Sequence, residues 1–177
     1  ELLLAGTEAE AAPLAAWLDG QNAARRAQEQ RILDDIAARC PEGAFAGRRA
    51  IVLCGEDWHL GVIGIVAARL VERYHRPALL FGLHNGLFTG SCRSIPGIDL
   101  HACLSAFSDR FERFGGHALA AGVTMRPEAF DAFAADFDAY LREHFDAETF
   151  EPVAWYEEDV SLSELTVGAV DALQALG

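Results

Sequence analysis

The sequence predicts a mixed α/β domain, a β-sheet flanked by helices, between residues 47 and 148, preceded by a long linker helix. Short apolar, β-prone runs alternate along the chain with segments whose apolar residues recur every three to four positions. Such alternation is typical of a sheet with helices packed on it. Between two of the runs lies Asn85-Gly86, the dipeptide most typical of a two-residue β-hairpin turn.

The segment before this domain is predicted to be mostly helical. Glu1–Ala5 is apolar and is expected to be a buried strand. Thr7-x-x-Glu10 has the form of a capping box, so a helix should begin there and reach about Arg39. Pro13 and Gly20 are expected to bend or interrupt it.

Within the domain, apolar periodicity and turn residues predict seven elements. In order they are a strand at Ala50–Cys54, a helix at Gly61–Tyr74, strands at Ala78–Leu83 and Leu87–Ser94, a helix from Asp99 to Gly115-Gly116, a strand at Ala120–Met125 and a helix from Pro127. Asp99 is expected to cap its helix, and the helix after Pro127 should turn a phenylalanine-rich stripe inward. A further strand is predicted at Trp155–Leu162, with a helix beginning near Ser163.

The charge of the chain is unevenly distributed. The formal net charge is −13, which by itself argues against a nucleic-acid partner. Residues 47–126, however, hold nine arginines against six acidic residues, whereas residues 127–177 hold one arginine against thirteen. This asymmetry favours a local anion site on an otherwise acidic protein.

Cysteine usage and hydropathy limit the other classes of protein. The four cysteines show no C-x-x-C spacing, so neither a disulfide framework nor a zinc site is expected, and a reducing cytosol fits best. The longest apolar runs are too short to cross a bilayer, and the first residues lack the basic start of a signal peptide. We therefore expect a cytoplasmic protein.

A first candidate site lies on the second strand of the hairpin. Side chains alternate along a strand, so Thr89, Ser91 and Arg93 share one face, and Gly90 lets a ligand or another backbone come close. Two hydroxyls and a guanidinium in a row are suited to binding phosphate oxygens. The alternative is an exposed polar face with no ligand.

A second candidate is the tripeptide Gly115-Gly116-His117. Two glycines with positive φ can turn successive backbone N–H groups toward one anion, and His117 would add a donor. The alternative is a glycine helix stop followed by a packed histidine. If the first interpretation holds, His117 and Arg93 should converge on one groove.

A third candidate lies on the linker helix. Asn22, Arg25 and Arg26 are three and four positions apart and therefore share a face that could contact a nucleic-acid backbone. Arg25 could equally form an ion pair with Glu29, four residues on.

Metal chemistry has little support in the sequence. Asp57-Trp58-His59 offers two ligand types without a third, so capping by Asp57 and core packing by Trp58 are the favoured roles. No carboxylate–histidine cluster for two metal ions, no G-x-x-x-x-G-K-[ST] motif and no Ser/His/Asp set is present. We therefore predict no catalytic and no metal-binding residue in this chain.

Several segments together resemble the RecJ family of single-strand-specific 5′→3′ DNA exonucleases, within the DHH phosphoesterase superfamily. They are Trp58–Leu70 (WHLGVIGIVAARL), Gly90–His101 (GSCRSIPGIDLH), Phe114–Gly122 (FGGHALAAG) and the Asn22-x-x-Arg25-Arg26 helix. Leu60 stands where family members often carry proline, at the first turn of a helix. Order and spacing agree over nearly the whole chain.

The resemblance implies three parts. Residues 1–46 would be the end of a catalytic DHH domain and the linker helix, residues 47–148 the DHH-associated nucleic-acid-binding domain, and residues 149–177 the start of an OB-fold region. The parent enzyme would use Mn²⁺ or Mg²⁺ held outside this chain to degrade single-stranded DNA in bacterial recombination and repair. This part would bind the substrate and would be inactive alone. Its phosphate contacts would come from Ser91, Arg93, Gly115, Gly116, His117, Asn22 and Arg25.

Two other functions are compatible with the residues. The chain could be the accessory domain of a DHH-family phosphodiesterase that acts on oligonucleotides or cyclic dinucleotides, since the GGH motif is shared with such enzymes. It could also be a non-catalytic interaction module whose acidic tail docks a partner.

Overall fold

The computed structural model describes residues 2–153, 159–161 and 166–174. Five strands and five α-helices are assigned in these ranges. They are α1 (Glu8–Arg39), β1 (Ile51–Gly55), α2 (Leu60–Tyr74), β2 (Ala78–His84), β3 (Leu87–Arg93), α3 (Leu100–Ser105), β4 (Arg113–Gly116), β5 (Ala120–Met125), α4 (Phe130–His144) and α5 (Val167–Gln174). The predicted α/β class is confirmed.

The strands form one mixed sheet in the order β1-β2-β3-β5-β4. β1 and β2 are parallel and are joined through α2, whereas the remaining neighbours are antiparallel. The predicted hairpin between β2 and β3 is confirmed: Asn85 and Gly86 have φ of 51° and 78°, the two positive values of a type I′ turn.

The two faces of the sheet are covered unequally. On one face α3 and α4 pack a phenylalanine-rich core against the strands, with Phe81, Phe133 and Phe137 fully buried. On the other face α2 lies over β2 and β3, and α1 packs behind it. The outer strands on that second face, β5 and β4, carry exposed residues such as Gly115 and Gly122. The site described below lies on this open part.

The linker helix has the predicted extent and is continuous. α1 runs through Pro13 and Gly20, so neither residue interrupts the helix, which was one of the two predicted effects. Its N-terminus is capped as expected, since the Thr7 side chain accepts a hydrogen bond from the Glu10 N–H. Only its C-terminal part is buried, where Ile32 and Ile36 pack against α2 and β1.

Two polar contacts hold the end of α1 on the domain. The indole N–H of Trp58 donates to the Asp35 carboxylate at 2.9 Å. Arg39 donates to the Cys54 carbonyl at 2.7 Å and also forms an ion pair with Asp35. Because Trp58 is itself buried, the expected core role of this residue is confirmed.

Three other predictions about the chain need correction or lie outside the structure. Within the described residues 2–5 the buried strand predicted at Glu1–Ala5 is not formed: Leu2–Leu4 form a short 3-10 helix, and Leu3 is 98% exposed. The helix from Asp99, which caps it as predicted, ends at Ser105 rather than at the glycines. Most of the strand predicted at Trp155–Leu162 lies outside the described residues.

None of the helices within the described ranges is long and apolar enough to cross a bilayer.

A buried carboxylate joins α4 to the start of β1. One oxygen of Asp138 accepts hydrogen bonds from the backbone N–H groups of Arg49, at 2.6 Å, and Ala50, at 3.1 Å. Its other oxygen accepts from Arg142 at 2.9 Å. Burial opposes ionisation of Asp138, but these hydrogen bonds and the arginine charge outweigh burial, so the pKa of Asp138 lies below its usual value.

Asp138→Ala is expected to lower the free energy of unfolding by about 2 kcal/mol, because two backbone donors lose their partner. A lowered pKa in the folded state means that the charge-dependent stabilisation is complete above the unfolded-state pKa, near 3.9, and is lost as the pH falls through the lower folded-state pKa. Urea unfolding at pH 7 and at a series of acidic pH values measures both effects.

Asp138→Asn is the matched control. Its amide oxygen can still accept from Arg49 and Ala50, so it should lose less stability than Asp138→Ala at pH 7. It should also lose the acid dependence that Asp138 contributes. Equal stability of wild type and Asp138→Ala at pH 7 would show that the carboxylate does not hold this junction.

Candidate nucleic-acid interface

Ser91 and Arg93 lie together under α2 and share one face of β3, as predicted. Residues of β3 alternate between half-buried and buried, with Thr89, Ser91 and Arg93 on the half-buried face. The Arg93 guanidinium donates to the Ser91 hydroxyl at 3.2 Å and to the Cys92 carbonyl at 2.9 Å. These bonds hold the guanidinium and the hydroxyl side by side, which is the arrangement needed to bind phosphate oxygens.

The close approach of α2 to this pair depends on Gly64. A Cβ atom added at Gly64 would lie 2.7 Å from the Ser91 Oγ and 3.0 Å from the Arg93 Nη2. The glycine therefore leaves the space that the two polar side chains occupy. Sequence analysis missed this residue, although glycine inside a helix, where alanine is more stable, was a visible signal.

Next to Ser91 the open face of the sheet has a floor without side chains. The strand registers place Ser91 opposite Gly122 on β5, and Gly122 opposite Gly115 on β4. A Cβ atom at Gly115 would meet nothing within 4 Å, and one at Gly122 only the Gly90 carbonyl at 3.8 Å. A ligand can thus approach the backbone of two neighbouring strands beside the Ser91–Arg93 pair.

The glycines of the GGH motif belong to a strand, which corrects the predicted helix stop and anion nest. Gly115 and Gly116 pair with Gly122 and Ala121 in the β4–β5 ladder. Only Gly116 has positive φ, at 146°, and the N–H of His117 is already used, since it donates to the Ala120 carbonyl at 2.8 Å. Successive free N–H groups turned toward one point are therefore not available at this motif.

His117 nevertheless lies at the same end of the sheet as Arg93. Arg93 pairs with Ala120, and His117 is hydrogen-bonded to that same residue from the other side. The His117 side chain is exposed, so it is not the packed core histidine of the alternative interpretation. Arg93 on β3 and His117 at the end of β4 thus lie at the same end of the sheet, and their convergence on one groove stays a prediction.

On the linker helix, Arg25 forms the ion pair that was the alternative to a phosphate contact. Its guanidinium lies 3.3 Å from Glu29, and Arg69 of α2 lies 2.5 Å from the other oxygen of Glu29. Glu29 is only 2% exposed, so it links α1 to α2 through two arginines. Asn22 and Arg26 are exposed, and a role for Asn22, Arg25 and Arg26 in phosphate binding stays a prediction.

The helix start at Asp57-Trp58-His59 differs in one detail from expectation. The N-cap of α2 is His59, whose Nδ1 accepts a hydrogen bond from the Gly61 N–H at 3.1 Å, and not Asp57. Leu60 is the first helical residue, the position at which proline is common in helices.

The residues present do not fit a metal site. In the ranges that the structure covers, no group of three or more His, Cys, Asp or Glu side chains is placed to hold a metal ion. The four cysteines are free. Burial raises the pKa of Cys92 to about 12 and that of Cys103 to about 11, so both thiols stay protonated at neutral pH.

Comparison with known proteins identifies the family. The profile of the DHHA1 domain matches residues 47–143. The chain belongs to the DHHA1 domain family. It is 33% identical to the single-stranded-DNA-specific exonuclease RecJ of Dickeya dadantii, over 100% of this chain and 32% of the relative. It is 32% identical to RecJ of Bacillus subtilis, over 99% of this chain and 22% of the relative. The predicted RecJ-type, DHH-associated domain is confirmed.

Solved structures support the same assignment. RecJ of Thermus thermophilus in complex with Mg²⁺ matches 82% of this DHHA1 chain with a TM-score of 0.71 and 35% identity, over 22% of its own length. An exonuclease RecJ bound to manganese matches with a TM-score of 0.68 and 35% identity, covering 82% of this chain and 35% of that one. The chain thus spans about a third or less of the curated relatives quoted above.

Proposed function

We propose that this chain is the substrate-gripping part of a RecJ-like exonuclease and that it binds the phosphates of single-stranded DNA. Ser91, Arg93 and His117 supply the polar contacts, and Gly115 and Gly122 let the strand approach the sheet. The observation that carries the proposal is the Arg93–Ser91 pair, held at 3.2 Å beside an open, glycine-floored sheet face.

The chemistry of the site supports this role. A guanidinium presents a planar fork to phosphate oxygens, and a hydroxyl can donate to the same group. Arg93 is half-buried under α2, and partial exclusion of water strengthens its interaction with an anion. Asn22, Arg25 and Arg26 on the linker helix add contacts to the same strand outside the domain.

The proposal assigns the chemical step to other parts of the parent protein. In it, a catalytic DHH domain of the same polypeptide holds Mn²⁺ or Mg²⁺ and hydrolyses the strand from its 5′ end during recombination and repair. The relatives whose structures contain these ions are much longer than this chain. We accordingly expect the chain alone to be inactive as a nuclease.

Fluorescence titration of a labelled thymidine oligonucleotide tests the gripping role. The logarithm of the association constant should fall with the logarithm of salt concentration, by ~0.7 for each phosphate contacted. Arg93→Gln should weaken binding roughly tenfold, since it removes one charge-assisted contact.

Arg73→Gln is the matched control, because Arg73 is an exposed arginine at the far end of α2 whose guanidinium lies over the Tyr74 ring. It should change affinity less than twofold. If Arg93→Gln binds the oligonucleotide as well as wild type does, the Ser91–Arg93 pair is not a phosphate-binding site.

The same titration distinguishes the alternative functions. Tighter binding of a cyclic dinucleotide than of the longer strand would favour the phosphodiesterase alternative, and absence of binding to either would favour an interaction module.

A further inference from the structure

The open face of the sheet carries a second cation at the end opposite to Arg93. Arg113 is the first residue of β4 and is exposed. The next residue, Phe114, packs against Phe111 and His101 on the opposite face, which α3 and α4 cover. Because side chains alternate along a strand, Arg113 points to the open face together with Gly115.

Arg113 is available for a ligand. Its neighbour Glu112 forms an ion pair with Arg126, with the Arg126 Nε 2.7 Å from the carboxylate oxygen. Among the residues that the structure describes, the guanidinium of Arg113 has neither an ion pair nor a hydrogen-bond partner. The charge of Arg113 is therefore not neutralised by Glu112.

Two hydroxyl groups stand in the same row as Arg113. The registers pair Thr89 with Thr124 and Thr124 with Arg113, across three strands. All three residues line an open groove of about 620 Å³ together with Gly115 and Gly122. Hydroxyls beside a guanidinium repeat the chemistry of the Ser91–Arg93 pair.

The two polar ends of the open face are too far apart for two neighbouring phosphates of one strand to contact both. Arg93 and Thr89 are four residues apart on β3, or about 13 Å, and Arg113 lies two strands further across, or about 10 Å. The diagonal from Arg93 to Arg113 is thus roughly 16 Å between Cα atoms. One phosphodiester linkage cannot bridge that distance, and the glycine floor between the two ends leaves room for the strand.

We propose that Arg113, with Thr89 and Thr124, forms a second phosphate subsite, so that the open face binds a single strand through at least three consecutive phosphates. This inference rests on the proposed function and makes it more specific. It defines a minimum substrate length for the grip, in which Arg93 holds one end of the segment and Arg113 holds the other.

The test compares unlabelled thymidine oligonucleotides without terminal phosphates as competitors of a labelled strand. Wild type should bind a tetranucleotide, which has three phosphates, roughly tenfold better than a dinucleotide, because only the longer strand reaches both subsites. Arg113→Gln should remove this gain and bind the dinucleotide within twofold of wild type. Arg73→Gln again serves as the control for loss of an exposed charge.

A second variant tests the path between the subsites without removing a charge. Gly115→Val places a branched side chain on the floor, where an added Cβ meets no atom within 4 Å. It should keep the stability of wild type, since valine suits a strand, and should weaken the tetranucleotide more than the dinucleotide.

Each outcome separates this inference from the proposed function. If Arg93→Gln weakens binding while Arg113→Gln changes nothing, or changes all lengths equally, the second subsite is wrong and the gripping role stands. If wild type binds the dinucleotide as tightly as the tetranucleotide, the minimum length is wrong. If neither arginine affects binding of any strand, the proposed function fails as well.

Discussion

Gly64→Ala is expected to weaken binding of single-stranded DNA about thirtyfold while leaving the fold intact, which is a larger loss than removal of the Arg93 charge alone. The added methyl group would lie 2.7 Å from the Ser91 Oγ and 3.0 Å from the Arg93 Nη2. Both polar groups must move to admit it, so the variant disturbs two contacts where Arg93→Gln disturbs one.

Stability should change little or rise in this variant. Both displaced atoms are ends of side chains and can move, whereas the exchange of glycine for alanine inside a helix is favourable by up to about 1 kcal/mol. Urea unfolding and oligonucleotide titration of the same preparation measure the two properties separately. Loss of binding without loss of stability is the expected result.

Gly20→Ala is the matched control for Gly64→Ala. It makes the same exchange inside α1, at a position where an added Cβ meets nothing within 4 Å. It should stabilise the chain by a similar amount and leave binding unchanged. If Gly64→Ala also binds DNA as wild type does, the Ser91–Arg93 arrangement under α2 is not the phosphate clamp.

Gly116→Ala is expected to lower the free energy of unfolding by about 3 kcal/mol, the largest change in stability that we predict. Gly116 has φ of 146°, which L side chains rarely adopt. An added Cβ would lie 2.4 Å from the Ala120 carbonyl oxygen and 2.5 Å from the Ala121 Cα. These are backbone atoms of the paired strand and cannot rotate away, so the end of the β4–β5 hairpin must open.

The neighbouring glycine provides the control. Gly115→Ala has no atom within 4 Å of the added Cβ and no positive φ, so its urea unfolding midpoint should stay close to that of wild type. Gly116→Ala should also bind DNA less well, since this hairpin places His117 at the same end of the sheet as Arg93. Equal stability of the two variants would contradict the close strand contact at Gly116.

Local sequence patterns were sufficient for elements whose signal lies within a few residues. The Asn85-Gly86 turn was predictable because a type I′ turn needs two positive φ angles that few residues tolerate. The shared face of Ser91 and Arg93 followed from the two-residue repeat of a strand. The capping roles of Thr7 and Asp99 were equally local.

Predictions failed where the same local sequence is compatible with more than one structure. Phe107 and Phe111 continue the helical spacing of α3, yet the helix ends at Ser105 and both rings reach the core through turns. β4 is four residues long and half glycine, so it has little strand propensity of its own and exists because β5 pairs with it. The four residues of β4 do not by themselves indicate that pairing.

The sequence by itself determined the α/β class, the strand that carries Ser91 and Arg93, and the resemblance that led to the DHHA1 family. The tertiary structure alone decided that Gly64 makes room for the Ser91–Arg93 pair and that Gly115 and Gly122 form an open floor. It also decided that Arg113 lies at the far end of the same face. The physical reason is one of range. Propensity, capping and alternation act over a few residues, whereas these three features arise from contacts between strands and helices far apart in the chain.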